Sequence, residues 1–122
     1  MEVPILKQGP YLIASIQAAL SDTDLLHFRD VLMGEVGRHR ARGVIVDVAA
    51  LDVMDSFGTR VLGDIARMIS LRGAKTVIVG IQPEVALAMV QMGLTLGSVA
   101  TTLDLEEGLS YLDIHTKPSA KS

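Results

Sequence analysis

The stretch Asp52-Val53-Met54-Asp55-Ser56-Phe57-Gly58-Thr59 decides how this chain is read. Before it runs Val44-Ile45-Val46-Asp47, a short β-branched block with the character of a buried strand. After it, Val61, Leu62, Ile65, Met68 and Ile69 recur with helical spacing and supply a broad apolar face. Arg60, Asp64 and Arg67 fall at i, i+4 and i+7, a narrow polar stripe on the same helix. Ser56 therefore stands where a strand has ended and a helix begins. A helix start leaves backbone N–H groups unpaired and carries partial positive charge. A hydroxyl there can cap the helix, and a phosphate added to it would be electrostatically favoured. On the residues alone, capping is the more ordinary task.

Composition narrows the rest. A chain of 122 residues, 49% apolar and 20% charged, is one ordered domain's worth of material. Tyr11, Phe28, Phe57 and Tyr111 are all its aromatics, and its net charge is −3. Neither suits a nucleic-acid partner, which needs stacking rings and cationic surface. No apolar run is long enough for a bilayer, and no charged-then-apolar leader opens the chain. With no cysteine there is no disulfide framework and no thiolate metal site. A cytoplasmic protein is expected, without membrane partner.

Working outward, Val3–Leu6 and Tyr11–Ile16 read as two antiparallel strands joined at Lys7-Gln8-Gly9-Pro10. Ser21 opens a helix, with Asp24 at the capping-box spacing and Leu25, Phe28, Leu32 and Val36 as its buried stripe. Arg38, Arg40 and Arg42 complement its C-terminal end, and Gly43 is expected to break it. Gly34 and Gly37 mark either close packing or an earlier end. Lys75–Val79 is a further strand and Gly80 permits the turn after it. Pro83 and Glu84 start a helix with Val85, Ala88, Met89 and Met92 inward, stopped by Gly93. Ser98–Thr101 is a short last strand. Asp104 and Glu107 box a final helix with the stripe Leu105, Leu109 and Leu112. The methionines, Met33, Met54, Met68, Met89 and Met92 among them, read as core or interface filler, with Met54 a candidate partner contact. The pattern predicts a single α/β domain over residues 1–115, with a mixed, mostly parallel sheet of about four or five strands and about four helices. A flexible tail is expected over 116–122. In such sheets, loops beyond the strands' carboxyl ends carry function, and the loop after Asp47 is one of them.

Enzyme signatures fail one by one. Gly58 and Gly63 have P-loop separation, but Asp64 stands where the lysine belongs. His27, His39 and His115 lack the pairing that holds zinc on a helix. Met54 replaces the glycine that a hydrolase elbow needs before its serine. A phosphate-receiver domain would need paired acids after the first strand, where Lys7 and Gln8 stand. Asp47, Asp52 and Asp55 then read as loop and cap residues. No catalytic residue, metal or cofactor is expected.

The order of elements, with Val46-Asp47 leading to Asp55-Ser56-Phe57-Gly58 and later Gly73-Ala74-Lys75-Thr76-Val77-Ile78-Val79-Gly80, resembles the STAS domain of anti-anti-sigma factors, most closely the RsbS-type stressosome proteins. The resemblance runs from about Val3 to Leu112. It implies a non-enzymatic scaffold in which Ser56 accepts phosphate from a serine kinase of the RsbT type. That kinase would be held until phosphorylation releases it onto a PP2C-type phosphatase or another output in a stress-signalling cascade. Asp55, Phe57, Gly58, Thr59, Arg60 and Asp64 would form the kinase-docking surface, with Thr59 a lesser candidate acceptor. The resemblance also implies a large oligomer with an RsbR-type paralogue, and homo-oligomerisation. No sensor domain of the kind that precedes the STAS domain of RsbR-like proteins is expected, which favours the RsbS role. Phe57 departs from the small residue common after the acceptor serine in simpler anti-anti-sigma factors. Two other readings stand beside this one: an anti-anti-sigma factor binding an anti-sigma kinase directly, and a module binding a small ligand or nucleotide at the loop after Asp47.

Overall fold

The computed structural model describes residues 2–91 and 99–116. Strands β1 (Ile5–Gln8) and β2 (Tyr11–Ser15) pair antiparallel, with Gly9 turning between them at φ +58°. Strands β3 (Gly43–Asp47), β4 (Lys75–Val79) and β5 (Ala100–Thr102) each add parallel to the one before, so the sheet order is β1-β2-β3-β4-β5. Between them run α1 (Asp22–His39), α2 (Ser56–Leu71) and α3 (Pro83–Gln91), and α4 (Leu105–Thr116) follows β5. The expected α/β domain with a mixed, mostly parallel sheet is what the chain forms.

Period-two alternation along the central strands splits the core into two layers. Leu12, Ala14, Val44, Val46 and Ile78 meet the apolar faces of α1 and α2. Tyr11, Ile13, Ile45, Val77 and Val79 meet Leu112 of α4. Each buried valine, leucine or isoleucine among them contributes roughly 1.5–3 kcal/mol relative to exposure. The α1 stripe Leu25, Phe28, Leu32 and Val36 is buried as its spacing predicts, joined by Met33. Ser21 caps it, its Oγ accepting from the Asp24 N–H at 3.0 Å.

Gly43 does not break α1, however. The helix runs through Gly34 and Gly37 to His39, and Arg40 caps it in the left-handed region at φ 49°. Gly43 instead opens β3, where a side chain would press to 2.7 Å of Leu112 Cδ2. Neither earlier glycine is held by close packing: a methyl at Gly37 would meet only the movable end of the Arg72 side chain, at 2.9 Å, and one at Gly34 would meet nothing within 4 Å.

In α4 the Asp104–Glu107 box closes, with Glu107 N–H donating to Asp104 Oδ1 and Leu103 N–H to Glu107 Oε1, both 2.9 Å. Leu105, expected in the apolar stripe, lies exposed. Gly108 takes the contact, because its missing Cβ lets α4 approach Val79 and Ile45 of the sheet. Thr116, placed by sequence at the head of the tail, is the last residue of α4, and its Oγ1 lies 3.3 Å from the Tyr11 hydroxyl. That hydroxyl donates to Asp113 Oδ1 at 2.7 Å. Burial first, and then the Asp113 carboxylate, raises the Tyr11 pKa above that of a free phenol. The expected end of α3 at Met92 and Gly93, Ser98 of the last strand, and tail residues 117–122 lie outside the described residues.

One buried group is left unsatisfied. Thr76 is 8% exposed and its Oγ1 has no hydrogen-bond partner among the described residues. A valine of nearly the same shape removes that desolvated hydroxyl. Thr76→Val is therefore expected to stabilise the fold by about 1 kcal/mol. Chemical denaturation checks this, and a lower midpoint for the variant would contradict it.

Candidate functional site: the start of the second helix

Asp47 ends β3, and its Oδ1 accepts from the Ala49 N–H at 2.9 Å, which turns the chain. Val48 and Leu51 then bury and pin the loop from below. A second loop braces it, because Gln82 Nε2 donates to the Ala49 carbonyl at 2.7 Å. Gly80 lies against Ala49, with φ +78°.

Capping falls to Asp55, and not to Ser56. Asp55 is extended (φ −87°, ψ 178°), and its Oδ1 accepts from the Gly58 N–H at 2.7 Å. Its carbonyl accepts from the Thr59 N–H at 3.0 Å and from Thr59 Oγ1 at 3.1 Å. Ser56 is the first helical residue, half-buried, and its hydroxyl makes no hydrogen bond among the described residues. A free nucleophilic oxygen thus sits over the first turn of α2, with the helix's positive end behind it. Asp55→Ala is expected to cost about 1 kcal/mol by losing the cap. Thermal unfolding reads this as a midpoint lower by about 4 °C, and an unchanged midpoint would show the cap to be idle.

The other expected docking residues divide. Asp55 and Arg60 are exposed, while Phe57 and Asp64 are half-buried at the surface. Arg60 forms no ion pair among the described residues, whereas Asp64 pairs with Arg67. Gly58 and Thr59 are buried, Thr59 to 2% exposure. Thr59 shapes the helix start from inside, while Gly58 lines a small cavity beside the turn. The Thr59 hydroxyl is hydrogen-bonded within the turn, donating to the Asp55 carbonyl. Val53, 70% exposed and two residues before the cap, belongs to the surface although its apolar character did not single it out in sequence. Met54 packs partly into the core. Among the described residues no group of three or more acidic, histidine or cysteine side chains could hold a metal ion. None of the described helices is long and apolar enough to cross a membrane.

A strand-loop-helix unit that offers an unpartnered serine, on a sheet of this order, defines a class. Residues 3–107 match the STAS domain family, and the chain belongs to it. Within that family it is RsbS-like. It is 36% identical to a serine-to-glutamate variant of RsbS from Moorella thermoacetica, over 97% of this chain and all of that one, with a TM-score of 0.85. A chain in the molecular architecture of the stressosome, described as a signal integration and transduction hub, is 35% identical over 94% of this chain and all of that one, with a TM-score of 0.78. The RsbT co-antagonist protein RsbRA of Bacillus subtilis is 31% identical over 78 residues, 64% of this chain. That match spans 28% of the longer RsbRA chain.

Proposed function

We propose that this protein is a non-enzymatic scaffold that holds a serine kinase of the RsbT type and lets it go when Ser56 is phosphorylated. The observation that supports this reading most is the division of labour at α2: Asp55 caps, and the Ser56 oxygen is left without a partner. Phosphate on Ser56 adds roughly −1.5 to −2 charges. The N-terminal turn of α2 tolerates them, and Arg60, one helical turn on, offers a cation. The fold therefore survives the modification while the surface becomes much more negative. A kinase that acts here must bring its nucleotide's phosphates to the same oxygen, so the new phosphate faces like charge as soon as it forms. Asp52 and Asp55, both exposed, already make this surface negative, and the phosphate adds to that charge.

Likeness to RsbS over the whole chain, and to a chain of the stressosome, supports a place in a large assembly beside RsbR-type paralogues. The released kinase would then act on a PP2C-type phosphatase or another output. Incubation with the cognate kinase and Mg-ATP, followed by peptide mass spectrometry, is expected to find phosphate on Ser56. Phosphate elsewhere, or none, would defeat the proposal.

A further inference from the structure

Directly beside the Ser56 turn lies a cavity of about 120 Å³. Its floor is apolar and buried: Ile16, Leu25, Leu51 and Leu62. At the mouth, Ala19 of the β2–α1 loop faces the β3–α2 loop, where Val53 stands exposed. Gly58 lines it as well, and a Cβ there would lean on Asp55 Oδ1 at 3.3 Å and Met54 Cγ at 3.4 Å. The glycine two residues after the acceptor serine thus serves both the cap and the cavity.

Charge near this hole is mostly negative, Arg60, one helical turn after Ser56, being the exception. Between Gly43 and Arg60 the chain has Asp47, Asp52 and Asp55 and no lysine or arginine. Between Ile16 and Leu25 it has Asp22 and Asp24 and again no cation. Asp55 is the one charged residue that lines the cavity. An apolar hole framed by carboxylates complements an aliphatic side chain that has a basic residue beside it. The size admits one branched aliphatic group, somewhat less than the space that takes a benzene ring in an engineered apolar cavity.

We infer that this cavity is the anchor point for the partner kinase, receiving one aliphatic side chain while a neighbouring lysine or arginine of the kinase meets Asp52 and Asp55. The inference rests on the kinase-holding role proposed above and specifies where the holding affinity comes from. An anchor beside the acceptor positions the Ser56 oxygen for transfer. It also places the later phosphate at the edge of a desolvated contact, where a dianion is poorly tolerated.

The test measures binding of the cognate RsbT-type kinase by calorimetry at two salt concentrations. Ala19→Phe, from an exposed loop position, blocks the mouth; Val53→Lys, also exposed, puts a cation on its rim; Asp52→Lys reverses the frame. Each is expected to weaken capture at least tenfold, the last with a flatter dependence on salt. Circular dichroism identifies any variant that fails to fold, and the other mouth variant then supplies the reading. If the unsubstituted chain and Ser56→Asp bind the kinase differently while both mouth variants bind like the unsubstituted chain, the anchor is overturned and the switch stands. If the unsubstituted chain does not bind the kinase at all, the kinase-holding role itself falls.

Discussion

Ser56→Asp is expected to weaken capture of the kinase about tenfold, and full phosphorylation about a hundredfold, with the fold intact. A tenfold change corresponds to about 1.4 kcal/mol. One carboxylate set against an approaching nucleotide, or stranded at the rim of a drying contact, readily supplies that much. Phosphate carries more charge and more bulk, so its effect is larger. Neither change touches the cap, because the Gly58 N–H is already satisfied by Asp55. A negative group in the first turn of α2 adds about 0.3–1 kcal/mol of favourable interaction with the helix dipole. The unfolding midpoint is therefore expected to hold or rise slightly. Ser56→Ala completes the set: it retains the kinase and cannot release it. Calorimetry with the cognate kinase, alongside thermal unfolding of the same samples, reads all of this. Equal affinity for the aspartate variant and the parent would sink the switch.

Gly80→Ala is expected to be the most damaging single substitution outside the two core layers, lowering stability by about 3 kcal/mol. Two effects combine. Gly80 sits at φ +78°, where an L-residue is strained by about 1–2 kcal/mol. Its Cβ would also come within 2.7 Å of Ala49 Cβ, 3.0 Å of Ala49 Cα and 3.2 Å of Ala49 N. The last two are backbone atoms, so no side-chain rotation relieves the overlap, and overpacking of this kind costs about 1–3 kcal/mol. For a protein whose whole stability is about 5–15 kcal/mol, that is a severe loss. Gly9→Ala is the control. Gly9 shares the positive φ, at +58°, but nothing lies within 4 Å of its missing Cβ. It should lose only the conformational part, about 1–2 kcal/mol. Denaturant midpoints of the two variants separate strain from overlap, and equal losses would refute the steric argument. Because Ala49 belongs to the loop that ends at Asp55, Gly80→Ala should also impair kinase capture.

The elements legible in sequence were those governed by local rules. Ser21, Asp24 and the stripe from Leu25 to Val36 lie within one segment, so spacing alone places the cap and the buried face of α1. The strand-helix order and the hairpin at Gly9 were read the same way. What escaped depended on geometry that neighbours in sequence do not encode. Asp55 and Ser56 are equally good caps by type, and only the extended conformation of Asp55 decides between them. Arg40 ends α1 in a conformation that residue preferences assign to glycine, which is why Gly43 drew the eye. In α4 the apolar period selected Leu105, while the sheet is approached through Gly108, a residue that carries no hydrophobic signal. Thr59 lies one turn from Ser56 in sequence, yet the same helix start that leaves Ser56 half-buried buries Thr59. The cavity under Asp55 joins residues near 16–25 to residues near 51–62, and no periodicity connects those segments.

The sheet's spatial order has a consequence for how the molecule is made. Each strand's neighbour in space is also its neighbour along the chain, so no pairing waits for a distant portion to emerge. A growing chain can add β3 to the hairpin, then β4, then β5, in the order of synthesis. Among the described residues, the side bearing Ile13, Ile45, Val77 and Val79 stays bare until α4 arrives with Leu112 and Asp113 meets the Tyr11 hydroxyl. The C-terminal helix is the lid on that greasy floor, and a nascent chain halted before Leu105 would display it to every sticky surface in the cell.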